Sequence, residues 1–301
     1  MGEPASQLID ALTEVRTVVA GARFPLALPS APTATTTAAR LNRQVDDYLL
    51  PRLDRLDAPL LVVVGGSTGA GKSTLVNSLV RAPVSDAGVL RPTTRAPILV
   101  SHPHDAAWFG ERRILPGLAR SHANRMDRGT MQVISAPELT AGLALLDAPD
   151  IDSVVDENRE LAERLLAAAD VWLFVTTAAR YADAVGWQVL RSARDRGTVL
   201  AMVLDRVPPG AEVEITAHLR EMLAARDLGG VDVFAIPEVP RDGSGLLAEP
   251  LVTPLHDYLS ALAGDAVARS GVIRTTLGGA IRSLIRDVDG LANAADEQAA
   301  A

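Results

Sequence analysis

The 301-residue chain contains no cysteine. A disulfide framework, a thiol nucleophile and a thiolate metal site are thereby excluded, which fits a reducing cytoplasm. Long apolar runs are also missing. The longest, such as residues 60–64 and 199–204, are strand-sized, against the roughly 20 residues that cross a bilayer. No basic-then-apolar signal opens the chain. These absences predict a soluble, cytoplasmic protein. Excess positive charge is lacking too: the formal net charge is −8, which argues against a nonspecific polyanion binder. No specific nucleic-acid signal is present. The scarcest basic residue is lysine. Of 29 Lys+Arg residues, Lys72 alone is lysine. Arginine-for-lysine usage with abundant alanine is the mark of a high-GC genome, a mutational bias. Lys72 therefore persists where arginine does not serve.

What is present is ordinary for a globular protein, with 48% hydrophobic and 22% charged residues, and long enough for one large domain or two modest ones. Residues 1–57 carry helical apolar stripes through Leu8, Leu12 and Val15 and again through Leu41, Val45 and Leu49, with a Pro/Ala/Thr-rich break at about 25–37. From 58 to 248 the pattern changes to short apolar runs alternating with helical segments. Strands are expected at 60–64, 96–100, 131–135, 143–146, 171–175, 199–204 and 231–236. Helices are expected at 73–79, 156–168, 182–195 and 211–225. The polar stretch 101–140 reads as an inserted loop or hairpin. Residues 249–301 turn helical again. The expected fold is α/β, a three-layer domain with a mostly parallel sheet carrying at residues 66–73 the G-x-x-x-x-G-K-[ST] turn of a P-loop NTPase, plus a helical module formed by the N- and C-terminal segments packing together.

Residues 66–73, GSTGAGKS, satisfy G-x-x-x-x-G-K-[ST], with an apolar strand before and a helix after. Gly66, Gly69 and Gly71 let the backbone wrap a phosphate chain, and the amides of Ser67, Thr68, Ala70 and Thr74 complete the loop and the helix start. Lys72 bridges β- and γ-phosphates as a compact point charge, which a planar guanidinium is too broad to replace. Ser73 offers its hydroxyl to Mg²⁺.

Residues 72–79, KSTLVNSL, resemble the G-K-[ST]-[ST]-L-x-N-x-L continuation of Era-like, septin-like and bacterial dynamin-like GTPases, with Asn77 and Leu79 as the added marks. The resemblance covers about residues 58–245. Thr94 in TRAP (94–97) is similar to the threonine of a dynamin-type first switch and is implied as a Mg²⁺ ligand, with Thr93 in reserve. LALLDAPD (143–150) is similar to the second switch, so Asp147 is implied to hold a magnesium-bound water. Asp150 stands where the family has glycine. Its N–H can approach the γ-phosphate while its carboxylate must turn away. Ile151 follows, without the water-orienting glutamine of Ras-type enzymes, so slow hydrolysis is expected. At the base-reading motif the chain has DRVP (205–208). Arg206 stands in the stacking position, Pro208 replaces the guanine-reading aspartate, and Asp205 substitutes only if the loop is shifted.

The resemblance implies a Mg²⁺-dependent GTPase that binds GTP and GDP, acting as a switch whose helices relay nucleotide state. Lys72, Thr94 and Asp147 are then catalytic, and the readable residues leave ATP open as an alternative. A nucleotide-binding scaffold with little catalysis is the second reading, favoured by Asp150, Ile151 and Pro208. Homodimerisation across the nucleotide face and peripheral association with a membrane or membrane protein through the helical segments are implied by the family alone. The chain stops inside a helical pattern, which leaves room for a further segment. An ABC-type ATPase is excluded, because Ala148 and not glutamate follows Asp147 and no L-S-G-G-Q stretch occurs. His102 and His104 read as solvated, Trp172 and Phe174 as core, and Glu157, Arg159, Glu160, Glu163 and Arg164 as a solvated helix face.

Overall fold

The computed structural model describes residues 3–85, 96–110, 113–121, 129–153, 156–239 and 245–301. Strands that read as unbroken apolar runs must be covered on both faces, and amphipathic helices must do the covering. The strands are Leu60–Gly66 (β1), Ile98–Ser101 (β2), Ala119–Ser121 (β3), Thr130–Ser135 (β4), Leu143–Asp147 (β5), Val171–Thr177 (β6), Val199–Val207 (β7) and Asp232–Pro237 (β8). They form one sheet in the order β3-β4-β2-β5-β1-β6-β7-β8. The pairings are parallel except that of β2 with β5.

The helices are Glu3–Gly21 (α1), Ala31–Gln44 (α2), Leu50–Asp54 (α3), Lys72–Leu79 (α4), Ala106–Gly110 (α5), Asp156–Ala167 (α6), Ala184–Asp195 (α7), Glu212–Ala224 (α8), Glu249–Ala263 (α9) and Ala266–Ala300 (α10). Side chains alternate across a strand, and β1 shows the consequence. Leu60, Val62 and Val64 pack into a core shared with α1, α2, α4, α9 and α10. Leu61 and Val63 pack into the opposite core, with Trp108 of α5, Leu165 of α6, Trp187 of α7 and Leu219 of α8. The result is a three-layer α/β fold with additional helices at both ends of the chain. Trp172 and Phe174 stack edge-on, 5.5 Å apart, inside the second core.

Two expectations are corrected. Helix α2 begins at Ala31, inside the supposed break at 25–37. Pro32 sits in its first turn, where the missing N–H is not needed. Ala31, Ala34 and Ala38 face the core, and Thr35 and Thr36 turn their hydroxyls back to carbonyls four residues earlier. The stretch 101–140 is not a hairpin. It carries α5 and the three-residue β3, which runs parallel to β4, and β4 extends the sheet beyond β2.

Asp265 caps α10, accepting from the amides of Val267 and Ala268 at 2.7 and 2.8 Å. Helix α10 then lies against α2. Arg40 pairs with Asp287 at 2.9 Å, Ser30 donates to Glu297 at 2.6 Å, and Gln298 exchanges two hydrogen bonds with the backbone of Leu26. A buried polar pin joins these helices to the sheet. Asp170, at the head of β6, accepts from Arg52, from Tyr48 Oη at 3.1 Å and from the Leu61 amide at 2.7 Å. Its carbonyl accepts from Thr276 of α10 at 3.0 Å.

Candidate functional site

Strand β1 ends at Gly66, whose φ of 152° and close approach to β6 admit no side chain, since a Cβ there would collide with the Val175 carbonyl. The chain turns tightly, with Ala70 N donating to Ser67 O at 3.1 Å, and reaches Gly71 at φ 93°. A Cβ on Gly71 would run into the Asp205 carboxylate. Helix α4 starts at the next residue, so its unpaired N-terminal amides and the positive end of its dipole face the loop. Ser67, Lys72 and Thr74 are buried, while Thr68 and Ser73 are half-buried.

Lys72 folds back over this loop. Its Nζ donates to the carbonyls of Gly66 and Ser67, both at 3.0 Å, and to the carboxylate of Asp150. Ser73 Oγ donates to Asp147 Oδ2 at 2.6 Å. Asp147 closes β5, paired in register with Val64 of β1 and Ile98 of β2, and is wholly buried. Ser85 Oγ donates to the same oxygen at 2.6 Å. Asn77 holds Ser85 there, accepting from the amides of Val84 and Ser85 and donating to the Ser85 carbonyl. Burial pushes the Asp147 carboxyl up, against the opposing pull of Ser73, Ser85 and Lys72.

Asp147 Oδ1 is buried without a hydrogen-bond partner. An orphaned carboxylate oxygen beside a serine hydroxyl is an all-oxygen donor set that suits a hard divalent cation such as Mg²⁺. The Asp147–Ser73 pair therefore fits the ion. Thr94, and Thr93 with it, lies outside the described residues.

Asp150 does not turn its carboxylate away from the loop, as the sequence suggested. Lys72 is a cation within reach, and opposite charges at hydrogen-bond distance attract. Ile151 is buried, with its amide donating to Gly66 O at 3.3 Å. Asp152 accepts from Thr68 N and Thr68 Oγ at 2.7 and 2.8 Å, and from Arg180 at 2.9 Å. Burial pushes the Asp152 carboxyl up, but the two Thr68 bonds and Arg180 outweigh it and hold the group below its ordinary range.

Asp205 and Arg206 sit at an irregularity in β7. Leu204 pairs with Ala235 and Val207 with Pro237, so two residues of β7 face the single Ile236. Such a bulge re-aims a side chain, and Arg206 takes a positive φ of 53° within it. Both residues line a cleft of about 170 Å³ shared with Gly71, Thr74 and Glu238.

The glycine loop, Lys72, Ser73, Asp147 and Asp150 thus converge, with Asp205 and Arg206 on the far side of Gly71. Ser85, Asp152 and Arg180 were missed. Only the acidic run at 147–152 carries a signal, and the sequence reading stops at Ile151. The half-buried His102 and the exposed His104 form an edge-on pair, with His102 Nδ1 accepting from the His104 amide. No group of three or more histidine, aspartate or glutamate side chains placed to hold a metal ion occurs among the described residues. Arg164 is not on a solvated face. Its guanidinium grips both Asp47 oxygens at 2.6 and 2.8 Å, and the hydrogen bonds to Asp47 raise its pKa.

Strand, glycine turn and helix in this order, with the lysine folded over the turn, define a P-loop nucleotide-binding fold. Residues 62–207 match the sequence model of the Dynamin family. No curated protein sequence matches the chain. Among solved structures, Era in complex with MgGDPNP and a 16S ribosomal RNA fragment is 18% identical, with a TM-score of 0.43, over 67% of this chain and 57% of that one. A chain of an oligomerised bacterial dynamin pair is 12% identical, with a TM-score of 0.45, over 96% of this chain and 55% of its own length. Toc33 from Arabidopsis thaliana, in complex with Mg²⁺ and GMPPNP, is 18% identical, with a TM-score of 0.39, over 80% and 92%. The present chain thus spans little more than half the length of the first two.

Proposed function

We propose that the chain is a Mg²⁺-dependent switch that binds GTP and hydrolyses it slowly. The observation that carries the reading is the arrangement of Lys72 and Ser73. The sole lysine folds over the glycine loop, and the next side chain meets the Asp147 carboxylate at 2.6 Å. In this reading the loop amides of residues 66–74 and Lys72 bind the phosphates, as backbone N–H groups and an ammonium do in anion-binding nests. Ser73 and Asp147 would hold Mg²⁺, joined by Thr94 on the family resemblance. The ion would supply charge neutralisation at the phosphates. Hydrolysis is slow because the buried Ile151 brings no group that orients water.

Guanine is favoured by the Dynamin-family match. The Asp205 bulge supports it by setting a carboxylate beside the cleft that Arg206 also lines. ATP remains the alternative nucleotide. The relay to the helices runs through α6, which follows the Asp147–Asp152 segment and ends in the Arg164–Asp47 fork on the π-helical turn Val45–Leu49. Such turns inside helices are frequent at functional positions. Dimerisation across the nucleotide face and peripheral membrane association through the helical segments extend the proposal by resemblance. No helix among the described residues is long and apolar enough to cross a membrane.

A second reading, a nucleotide-binding scaffold with little catalysis, is favoured by the Lys72–Asp150 pair, which engages the phosphate-binding ammonium. Phosphate release from GTP and from ATP, measured for the parent and Lys72→Ala, separates the two. The switch reading expects slow, Mg²⁺-dependent release from GTP that Lys72→Ala abolishes. Equal release by both proteins contradicts it, and nucleotide binding without release supports the scaffold.

A further inference from the structure

The residues that follow Asp147 lie along the phosphate loop, and their contacts are those an anion makes. Lys72 has three ammonium protons. Two go to the carbonyls of Gly66 and Ser67, and the third goes to Asp150. Ile151 is tied to Gly66 O through its amide. Asp152 Oδ1 takes both the amide and the hydroxyl of Thr68. On the outer side Arg180 holds Asp152 Oδ2 at 2.9 Å, reaches Thr68 O at 3.2 Å and is itself held by Asp183 at 2.8 Å. A carboxylate on an ammonium and a carboxylate on a loop amide are charge-assisted bonds of the kind this loop offers phosphate oxygens. A phosphate oxygen placed at Lys72 while Asp150 stays would set two anions at hydrogen-bond distance in a half-buried site, where their repulsion is weakly screened.

We propose that residues 150–152 form an acidic strap that occupies the phosphate loop and gates nucleotide entry, with Arg180 as its latch. The strap leaves Lys72 and Thr68 when phosphate arrives, and the two occupants exclude one another. The proposal rests on the nucleotide-site reading of residues 66–74. Its consequence is that apparent nucleotide affinity is the intrinsic affinity reduced by the fraction of molecules with the strap open. A side chain that cannot hold the strap shut removes that reduction.

The test is a calorimetric titration with GDP and with GMPPNP, in Mg²⁺, of four proteins: the parent, Asp150→Asn, Asp152→Asn and Asp227→Asn. Ligand-free melting curves of the same four accompany it. Asp150→Asn and Asp152→Asn are expected to bind about five- to twentyfold more tightly than the parent. Asp152→Asn is also expected to lower the ligand-free Tm, because its bonds to Thr68 and Arg180 are lost. Asp227→Asn removes the same charge from the exposed turn between α8 and β8, where Asp227 meets Arg194 and neither the strap nor its latch, so its affinity is expected to match the parent's. Strap variants that bind no more tightly than the parent overturn the proposal. So does equal tightening in Asp227→Asn, which would make net charge alone the cause. Silence in all four titrations, parent included, contradicts the nucleotide reading itself and the gate with it, and is distinct from the other failures because the parent does not bind.

Discussion

Ser73 and Asp147 stand 74 positions apart in the chain and meet at 2.6 Å at the mouth of the phosphate loop. The parallel pairing of β5 beside β1 makes this unavoidable, because it sets Asp147 in register with Val64, two residues before the loop. Asp147 is buried, and one of its oxygens has no partner. A buried carboxylate oxygen without a partner costs stability, and under the proposed function a bound cation would offset that cost.

A pH prediction follows from that cost. The Asp147 pKa is raised in the folded protein, chiefly by burial, so the folded state holds this proton more tightly than the unfolded state does. Its favourable contribution is fully present below the unfolded value and is lost as pH rises through the folded value. Asp147→Asn is therefore expected to gain stability relative to the parent as pH rises from the acid range to neutrality. Melting curves of the two proteins across that range check it. Mg²⁺ with GTP is expected to raise the parent's Tm and not the variant's.

Asp152 has the opposite sign. Burial raises its pKa, but the Thr68 bonds and Arg180 lower it further, leaving the group depressed. Its contribution is present above the unfolded value and is lost as pH falls through the folded value. Asp152→Asn is expected to flatten the acid limb of the ligand-free stability profile and leave the neutral-to-basic limb parallel to the parent's.

The fork between Arg164 and Asp47 ties α6 to the N-terminal helices. Arg164→Ala and Asp47→Ala are each expected to cost about 2 kcal/mol, with the double variant well short of the sum because the pair shares one interaction. Denaturant titrations give that cycle. Hydrogen exchange in residues 45–54 is expected to respond to GTP in the parent and to lose that response in both single variants.

The Arg52–Asp170 pair is fully buried on both sides. Arg52→Ala leaves Asp170 charged without its partner and is expected to cost about 3–5 kcal/mol. Urea denaturation measures it directly. Tyr48→Phe removes only one of the acceptor's several donors and is expected to cost about 1 kcal/mol.

Much of the fold was legible because burial on two faces leaves a plain trace. The runs at 60–64, 143–146 and 171–175 lie within β1, β5 and β6, each extended by one or two residues. Strand β3 left none, being three half-buried residues within a polar stretch. Helix α2 hid behind alanine and threonine, whose composition suggests a break although alanine at 31, 34 and 38 packs well. The phosphate loop was legible because its geometry requires glycine at fixed places. The contacts of Asp150, Asp152, Arg164 and Arg180 were not, since ion pairs between distant segments have no periodicity. The bulge in β7 that carries Asp205 shows only in the register with β8.

The most direct test is a calorimetric titration of the parent and of Lys72→Ala with GTP, GDP, ATP and ADP in the presence of Mg²⁺. The parent is expected to bind the guanine nucleotides at least about tenfold more tightly than the adenine ones, and Lys72→Ala to lose about a hundredfold in affinity for all that bind. A parent that binds none of the four, or a Lys72→Ala that binds as the parent does, contradicts the account.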